Sequence, residues 1–143
     1  MKLKFHHVGI AVKDVQVISD LLHQKLGISF DEPEEVESQK VKVTFSDDGT
    51  GIELVEAAQE RSPQFPILPH PILNHVQKKG EGLHHLCFEV DNIEEAFQKL
   101  NDSGVKLLQK SLFIGSKGKR VFFIDPNETA GILIEIKEEK IKL

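Results

Sequence analysis

The sequence predicts an α+β fold built from two copies of one β-α-β-β-β unit, and three observations carry this prediction. The stretch FHHVGIAV that begins at residue 5 recurs as LHHLCFEV from residue 83, which places His7 and His85 78 residues apart. Both stretches alternate apolar residues with a period of two, as a half-buried strand requires. Each is followed by apolar residues at helical spacing.

Each helix and strand of the two units has its own local signal. The first helical stripe lies between Asp14, a typical N-cap residue, and Gly27, a typical helix stop, and the second lies between Asp91 and Gly104. The stripes consist of Val15, Ile18, Leu21, Leu22 and Leu26, and of Ile93, Ala96, Phe97 and Leu100. The remaining strands are predicted at 28–33, 40–46, 51–56, 105–113, 119–124 and 131–137.

A proline-rich segment between the repeats predicts the module boundaries. Four prolines occur at positions 63, 66, 69 and 71, which is typical of a connection that bends repeatedly. We therefore predict a first module at 1–57, a linker at 58–81 and a second module at 82–143, which together form one structural domain. Within the linker, the sequence ILNHVQKK predicts a short helix before Gly80.

Composition excludes several classes of protein. The net charge of −5 argues against nonspecific binding to nucleic acid, and no apolar run approaches the roughly 20 residues that span a bilayer. A single cysteine, Cys87, and an N-terminus without a signal-peptide pattern predict a cytoplasmic location. The one basic cluster contains Lys117, Lys119 and Arg120, and it is interpreted either as a solvated turn or as a phosphate contact for a substrate.

The alternation of each strand assigns its side chains to two faces. Val8, Ile10 and Val12 share the face that must lie against the first helix, so His7 points to the opposite face. The same argument places His85, Glu53 and Glu135 on the corresponding face of their strands, and His6 and His84 on the helix face. Four strands are therefore expected to send two imidazoles and two carboxylates to one side.

These four side chains predict a metal site. A carboxylate among Ile, Leu and Val is costly unless it is paired, because burial removes its hydration. Two imidazoles with two carboxylates suit one divalent ion such as Zn, Co, Ni or Mn. Four protein ligands that leave room for water would indicate a catalytic rather than a structural site. Taken singly, His7 and His85 could be core histidines, and Cys87 is interpreted as a small packing residue.

The paired units, HHVGIAV with GIELVE and GLHHLCFEV with GILIEI, resemble the vicinal oxygen chelate superfamily over nearly the whole chain. The resemblance implies a cup-shaped mixed β-sheet around one metal ion, with the helices on the outside. Carried over residue by residue, it implies His7, Glu53, His85 and Glu135 as the metal ligands. It also implies a homodimer.

Within the superfamily, the segments GEGLHHLCFEVDNI and IGSKGKRVFFIDPNETAGILIEI are most similar to methylmalonyl-CoA epimerases. The resemblance implies a metal-dependent isomerase whose substrate is an acyl-CoA. This enzyme would remove a proton from the carbon next to a carbonyl, through a metal-stabilised enediolate, with Glu135 or Glu53 as the base. Some epimerases carry an acidic residue on the third strand of the first module, where this chain has Val43.

Other functions of the superfamily stay open at this point. A glyoxalase I-like lyase acting on a thiol adduct shares the fold and the ligand types. A resistance protein that only binds its ligand commonly lacks the full set of ligands. A ring-cleaving dioxygenase needs two histidines, one carboxylate and open iron positions, so a fourth protein ligand speaks against it.

Overall fold

The computed structural model describes residues 1–57 and 71–140 and confirms the α+β class. In chain order, the first half contains β1 (Lys4–Ala11), α1 (Val15–Leu26), β2 (Glu34–Val36), β3 (Val41–Phe45) and β4 (Ile52–Ala57). After α2 (Pro71–Lys79), the second half contains β5 (Gly82–Val90), α3 (Ile93–Asp102), β6 (Phe113–Ile114), β7 (Arg120–Ile124) and β8 (Ile134–Glu138). The predicted β-α-β-β-β order therefore occurs twice, and α2 is the short helix expected before Gly80.

The chain divides into two compact units, and β1 contributes residues to both. The N-terminal unit is Gly9–His84, and the C-terminal unit is Met1–Val8 with His85–Leu143. The first residues of β1, including His7, thus belong to the same unit as the second sequence repeat. Most of the predicted linker, residues 58–70, lies outside the described residues, so the module boundaries stay a prediction.

The N-terminal unit has the strand order β2-β3-β4-β1 and an apolar layer on each face. β2, β3 and β4 are antiparallel neighbours. One face packs against α1 through Ile10, Val12, Leu54 and further apolar side chains. The other face packs against α2, where Ile72 lies among Ala11, Val43 and Val55. The predicted division of β1 into two faces is therefore confirmed for Ile10, Ala11 and Val12.

The C-terminal unit has the strand order β1-β5-β8-β7-β6. β5 and β8 are parallel, whereas β8, β7 and β6 follow one another as antiparallel neighbours. The core of this unit joins Val90, Phe122 and Ile136 of the strands to Ile93 and Ala96 of α3. The opposite face of β5 and β8 carries the polar side chains of the candidate site.

The helix ends follow the predicted chemistry with one correction. The Asp14 side chain accepts hydrogen bonds from the backbone N–H groups of Gln16 and Val17 at the start of α1, and Gly27 ends this helix at a φ of 72°. At α3 the cap is Asn92, which accepts from the N–H of Glu95, rather than the predicted Asp91. The 78-residue repeat distance from Asp14 leads directly to Asn92.

Three further details of the sequence prediction were wrong. The buried stripe of α1 is narrower than predicted, because Leu21 and Leu26 are exposed. Ile132, predicted in a core strand, is half exposed and precedes β8. The strands predicted at 28–33 and 105–113 shorten to the isolated bridges Phe30–Ser46 and Leu107–Ile124, followed by short strands. Within 1–57 and 71–140, no helix is long and apolar enough to cross a membrane.

Candidate metal centre

Three predicted ligands, His7, His85 and Glu135, meet inside the C-terminal unit. The Nε2 atoms of His7 and His85 lie 3.3 Å apart. The Oε1 atom of Glu135 lies 3.7 Å from Nε2 of His7 and 3.6 Å from Nε2 of His85. All three side chains are buried, with exposures of 2%, 8% and 8%. Two ring nitrogens and one carboxylate oxygen thus form a small triangle away from bulk water.

The size of this triangle fits a divalent metal ion. A point equidistant from three atoms separated by 3.3, 3.6 and 3.7 Å lies about 2.0 Å from each of them. Zinc is held at about 2.0–2.1 Å by histidine nitrogen and at about 2.0–2.2 Å by carboxylate oxygen. Imidazole and carboxylate together also suit the neighbouring first-row divalent ions. The three donors therefore suit a divalent metal ion in both chemistry and dimensions.

Strand register explains why Glu135 and His85 approach each other. β5 runs parallel to β8, and Cys87 pairs directly with Glu135. Because side chains alternate along a strand, His85 and Cys87 share a face, and Glu135 lies on the same face of the neighbouring strand. On the adjacent strand β7, Phe123 pairs with Glu135, and its ring lies edge-on to His85 with centroids 6.3 Å apart. An aromatic side chain therefore flanks the polar triangle.

His6 lies beside the triangle, although alternation predicts it on the helix face. Its Nδ1 atom is 2.7 Å from Nδ1 of His7, and its Nε2 atom is 3.9 Å from Oε2 of Glu89. Burial, the positive charge of Lys137 and the His7 ring together lower the pKa of His6 to about 4. His6 is therefore an uncharged imidazole at neutral pH.

Cys87 also has atoms near the His6 and His7 rings. One ligand atom from each of these three residues lies within 4.8 Å of the others. The Cys87 side chain is fully buried, and its Sγ lies 3.9 Å from the Phe88 carbonyl oxygen. The Nδ1 atoms of His6 and His7 are 2.7 Å apart, which is a hydrogen-bond distance, so these two rings are hydrogen-bonded to each other.

Glu53 and a second carboxylate that sequence analysis missed lie in the N-terminal unit. Glu53 is buried on β4, and its role as the fourth ligand stays a prediction. Glu34 of β2 is directly opposite Val43 of β3, and Val43 is directly opposite Val55 of β4. Paired residues share a face, so Glu34 and Glu53 project from the same face of this sheet. Glu34 stands two residues before the apolar Val36, so both lie on one face of a strand, and this spacing was the signal in the sequence that could have identified Glu34.

The three residues of the predicted basic cluster lie in different environments. The Arg120 guanidinium lies 2.6 Å from Glu94 and 3.1 Å from Glu138, and these hydrogen bonds raise its pKa. Lys119 donates to the Glu139 carbonyl oxygen at 2.9 Å, and its Nζ lies 3.6 Å from Oε2 of Glu89. Lys117 is exposed in the turn before β7. Arg120 is therefore held in ion pairs, whereas Lys117 lies at the surface.

The Glyoxalase/Bleomycin resistance protein/Dioxygenase superfamily model matches residues 6–123. Among curated proteins, the uncharacterized protein YqjC of Bacillus subtilis is 36% identical over 138 residues, which cover 96% of this chain and 93% of that protein. The mitochondrial methylmalonyl-CoA epimerase of Bos taurus is 31% identical, with 94% of this chain and 74% of the relative covered.

Solved structures of epimerases share the same fold. The methylmalonyl-CoA epimerase of Mycobacterium tuberculosis superimposes with a TM-score of 0.82 at 27% identity, and 96% of this chain and 88% of that one are covered. A variant of the Streptomyces coelicolor methylmalonyl-CoA epimerase, in complex with 2-nitronate-propionyl-CoA, gives a TM-score of 0.80 at 25% identity. The match covers 96% of this chain and 98% of the Streptomyces chain.

Proposed function

Because this chain belongs to the Glyoxalase/Bleomycin resistance protein/Dioxygenase superfamily, we propose that it is a divalent-metal-dependent acyl-CoA epimerase of the methylmalonyl type. The observation that carries the proposal is the buried triangle of His7, His85 and Glu135. The similarity to methylmalonyl-CoA epimerases at about a third of all positions supports the reaction class.

The protein supplies the ligands of one metal ion in this proposal. His7 and His85 would bind it through Nε2 and Glu135 through Oε1, and Glu53 would be the fourth ligand by its equivalence to Glu135 in the repeat. The bound ion would supply positive charge that stabilises the oxygen made negative when the neighbouring carbon loses its proton. Metal identity among Zn, Co, Ni and Mn stays a prediction.

Carboxylates carry the proton in the proposed reaction. Glu135 and Glu53 are the candidates to accept the proton from the carbon next to the thioester carbonyl. Inversion also requires that a proton return to the opposite side of that carbon, which favours a second acid–base group. β3 offers no carboxylate at Val43, so we assign Glu34, its neighbour across the strands, as the candidate for the second group.

An acyl-CoA substrate is favoured over a thiol adduct of the glyoxalase kind. The Streptomyces epimerase binds a propionyl-CoA derivative, and that chain matches almost throughout. We propose Lys117 as a contact for the CoA phosphates, because it is the exposed member of the basic cluster. Roles for Lys119 and Arg120 in substrate binding would require them to leave their acidic partners. A homodimer in the cytoplasm stays a prediction.

A metal analysis combined with two substrate assays tests the proposal. Purified protein is analysed for bound metal, reloaded with Co, Zn or Ni, and assayed for methylmalonyl-CoA epimerisation and for loss of the methylglyoxal–thiol adduct. We expect epimerisation only, accompanied by deuterium uptake from D₂O at the carbon that inverts. Activity on the thiol adduct alone would favour the glyoxalase function, and tight binding without turnover would favour a binding protein.

Ligand variants connect this activity to the triangle. His85→Ala and Glu135→Ala should each abolish turnover and reduce the bound metal, because each removes one ligand atom. His84→Ala is the matched control, since it changes the neighbouring histidine and should retain the metal content of the unsubstituted protein. Full metal content and turnover in both ligand variants would contradict the proposed site.

A further inference from the structure

We propose that His6 is a positioning residue that holds the His7 ring in the tautomer and orientation required for metal binding. The inference deepens the proposed function and rests on its metal site. It is based on the 2.7 Å distance between the Nδ1 atoms of the two rings. The Nε2 atom on the other side of the His7 ring faces His85 and Glu135.

The hydrogen bond between the rings fixes where the protons must lie. A neutral imidazole carries one N–H and one lone pair, and only the nitrogen with the lone pair can bind a metal ion. If Nε2 of His7 is the ligand, its proton is on Nδ1, and that N–H needs an acceptor. Nδ1 of His6 lies at hydrogen-bond distance and accepts it, so the proton of His6 is on Nε2.

Charged side chains continue the arrangement beyond His6. Oε2 of Glu89 lies 3.9 Å from Nε2 of His6, on the side where this ring carries its proton. The same oxygen lies 3.6 Å from Nζ of Lys119, which is itself fixed by its hydrogen bond to the Glu139 carbonyl oxygen. Metal-bound histidines commonly donate their second N–H to a carboxylate. Here the imidazole of His6 lies between the Glu89 carboxylate and the proposed metal ligand His7.

The second repeat provides a matched control because its corresponding histidine has a different environment. His84 precedes the ligand His85 just as His6 precedes His7. The His84 ring lies edge-on to His75 of α2, with ring centroids 5.1 Å apart. Replacement of His84 therefore removes the same side chain at the same sequence distance from a ligand, without removing the contact between His6 and His7.

The test measures Zn affinity by competition with a chelator in the full-length protein. We expect His6→Ala to bind zinc about 10–100-fold more weakly, which is the usual effect of losing the group that orients a ligand. His6→Asn should recover much of this loss, because its amide oxygen takes the place of Nδ1 as the acceptor. His84→Ala should bind zinc as the unsubstituted protein does.

Nitrogen-15 NMR of the zinc-loaded protein reports the tautomers directly. We expect His7 to carry its proton on Nδ1 and His6 to carry its proton on Nε2. Unchanged affinity in both His6 variants, or zinc bound through Nδ1 of His7, would overturn the role of His6 while leaving the metal site in place. Absence of zinc binding by the unsubstituted protein would instead contradict the metal site, and the role of His6 with it.

Discussion

Glu34 and Glu35 are neighbours in sequence but point to opposite faces of β2. Glu34 pairs with Val43, which is buried with Val36, Val41 and Val55. Glu35 pairs with Lys42 and is exposed. Of these two glutamates, Glu34 is therefore the one whose carboxylate lies on the face that also carries Glu53. Val43, on the same face of β3, is the position at which some epimerases carry an acidic residue.

Replacement of these two glutamates tests the proposed second acid–base group. Glu34→Gln should reduce epimerisation by about 10²-fold or more, since positioned acid–base groups contribute about 10²–10⁴-fold to rates. Glu35→Gln removes the same charge from the exposed face and should leave the rate unchanged. Both variants should retain bound metal, measured by elemental analysis. Equal rates in the two variants would exclude Glu34 from proton transfer.

The contrast between His7 and His6 shows how far residue-level prediction extends. Alternation fixes the direction of each Cα–Cβ bond, and this was sufficient to predict one common face for His7, His85 and Glu135, whose side chains meet in the structure. The ring position of His6 also depends on its side-chain torsions and on a hydrogen bond with His7. Those torsions follow from local packing and leave no periodic signal in the sequence, so the contact of His6 was not predicted.

At the level of the elements, both repeats contain a strand whose backbone N–H group donates to a side-chain oxygen at the same position of the repeat. Oδ1 of Asp31 accepts a hydrogen bond from the Phe45 backbone N–H at 2.9 Å, and Oε1 of Gln109 accepts one from the Phe123 backbone N–H at 2.8 Å. Both pairs are related by the 78-residue repeat. A side-chain acceptor thus replaces a backbone carbonyl, which explains why the strands predicted at 28–33 and 105–113 are not continuous.

Because the Asp31 side chain provides this acceptor, its removal should lower the free energy of unfolding measurably. Asp31→Ala leaves the Phe45 N–H without its acceptor and should lower the free energy of unfolding by about 1–3 kcal/mol. Asp31→Asn keeps an oxygen at the same place and should cost less. Urea unfolding followed by circular dichroism measures both values. Equal destabilisation by the two substitutions would show that the charge of Asp31, rather than its acceptor oxygen, is what matters.

For the whole molecule, the sequence duplication and the compact units follow different boundaries. The β1 strand starts the first sequence copy, yet its residues up to Val8 belong to the C-terminal unit. Three of the four predicted ligands, His7, His85 and Glu135, are consequently in one unit. The repeat predicted the candidate ligands, but the unit to which each belongs depends on strand pairing, which the similarity between the two sequence copies does not reveal.

Binding of a metal ion to the predicted ligands should raise the free energy of unfolding of the protein, and removal of the metal ion should lower it. A ligand that binds only the folded state at 100 times its Kd contributes about 2.7 kcal/mol. For a chain of this size that corresponds to a rise in Tm of about 5–11 °C, since each kcal/mol shifts Tm by about 2–4 °C. Differential scanning calorimetry with Zn, and again after chelation, measures the shift.

Mg²⁺ is the control ion, because it prefers an all-oxygen octahedral site and should not stabilise a site with two imidazoles. His85→Ala should lose the response to Zn, and a full Zn-dependent shift in that variant would place the bound metal elsewhere in the chain.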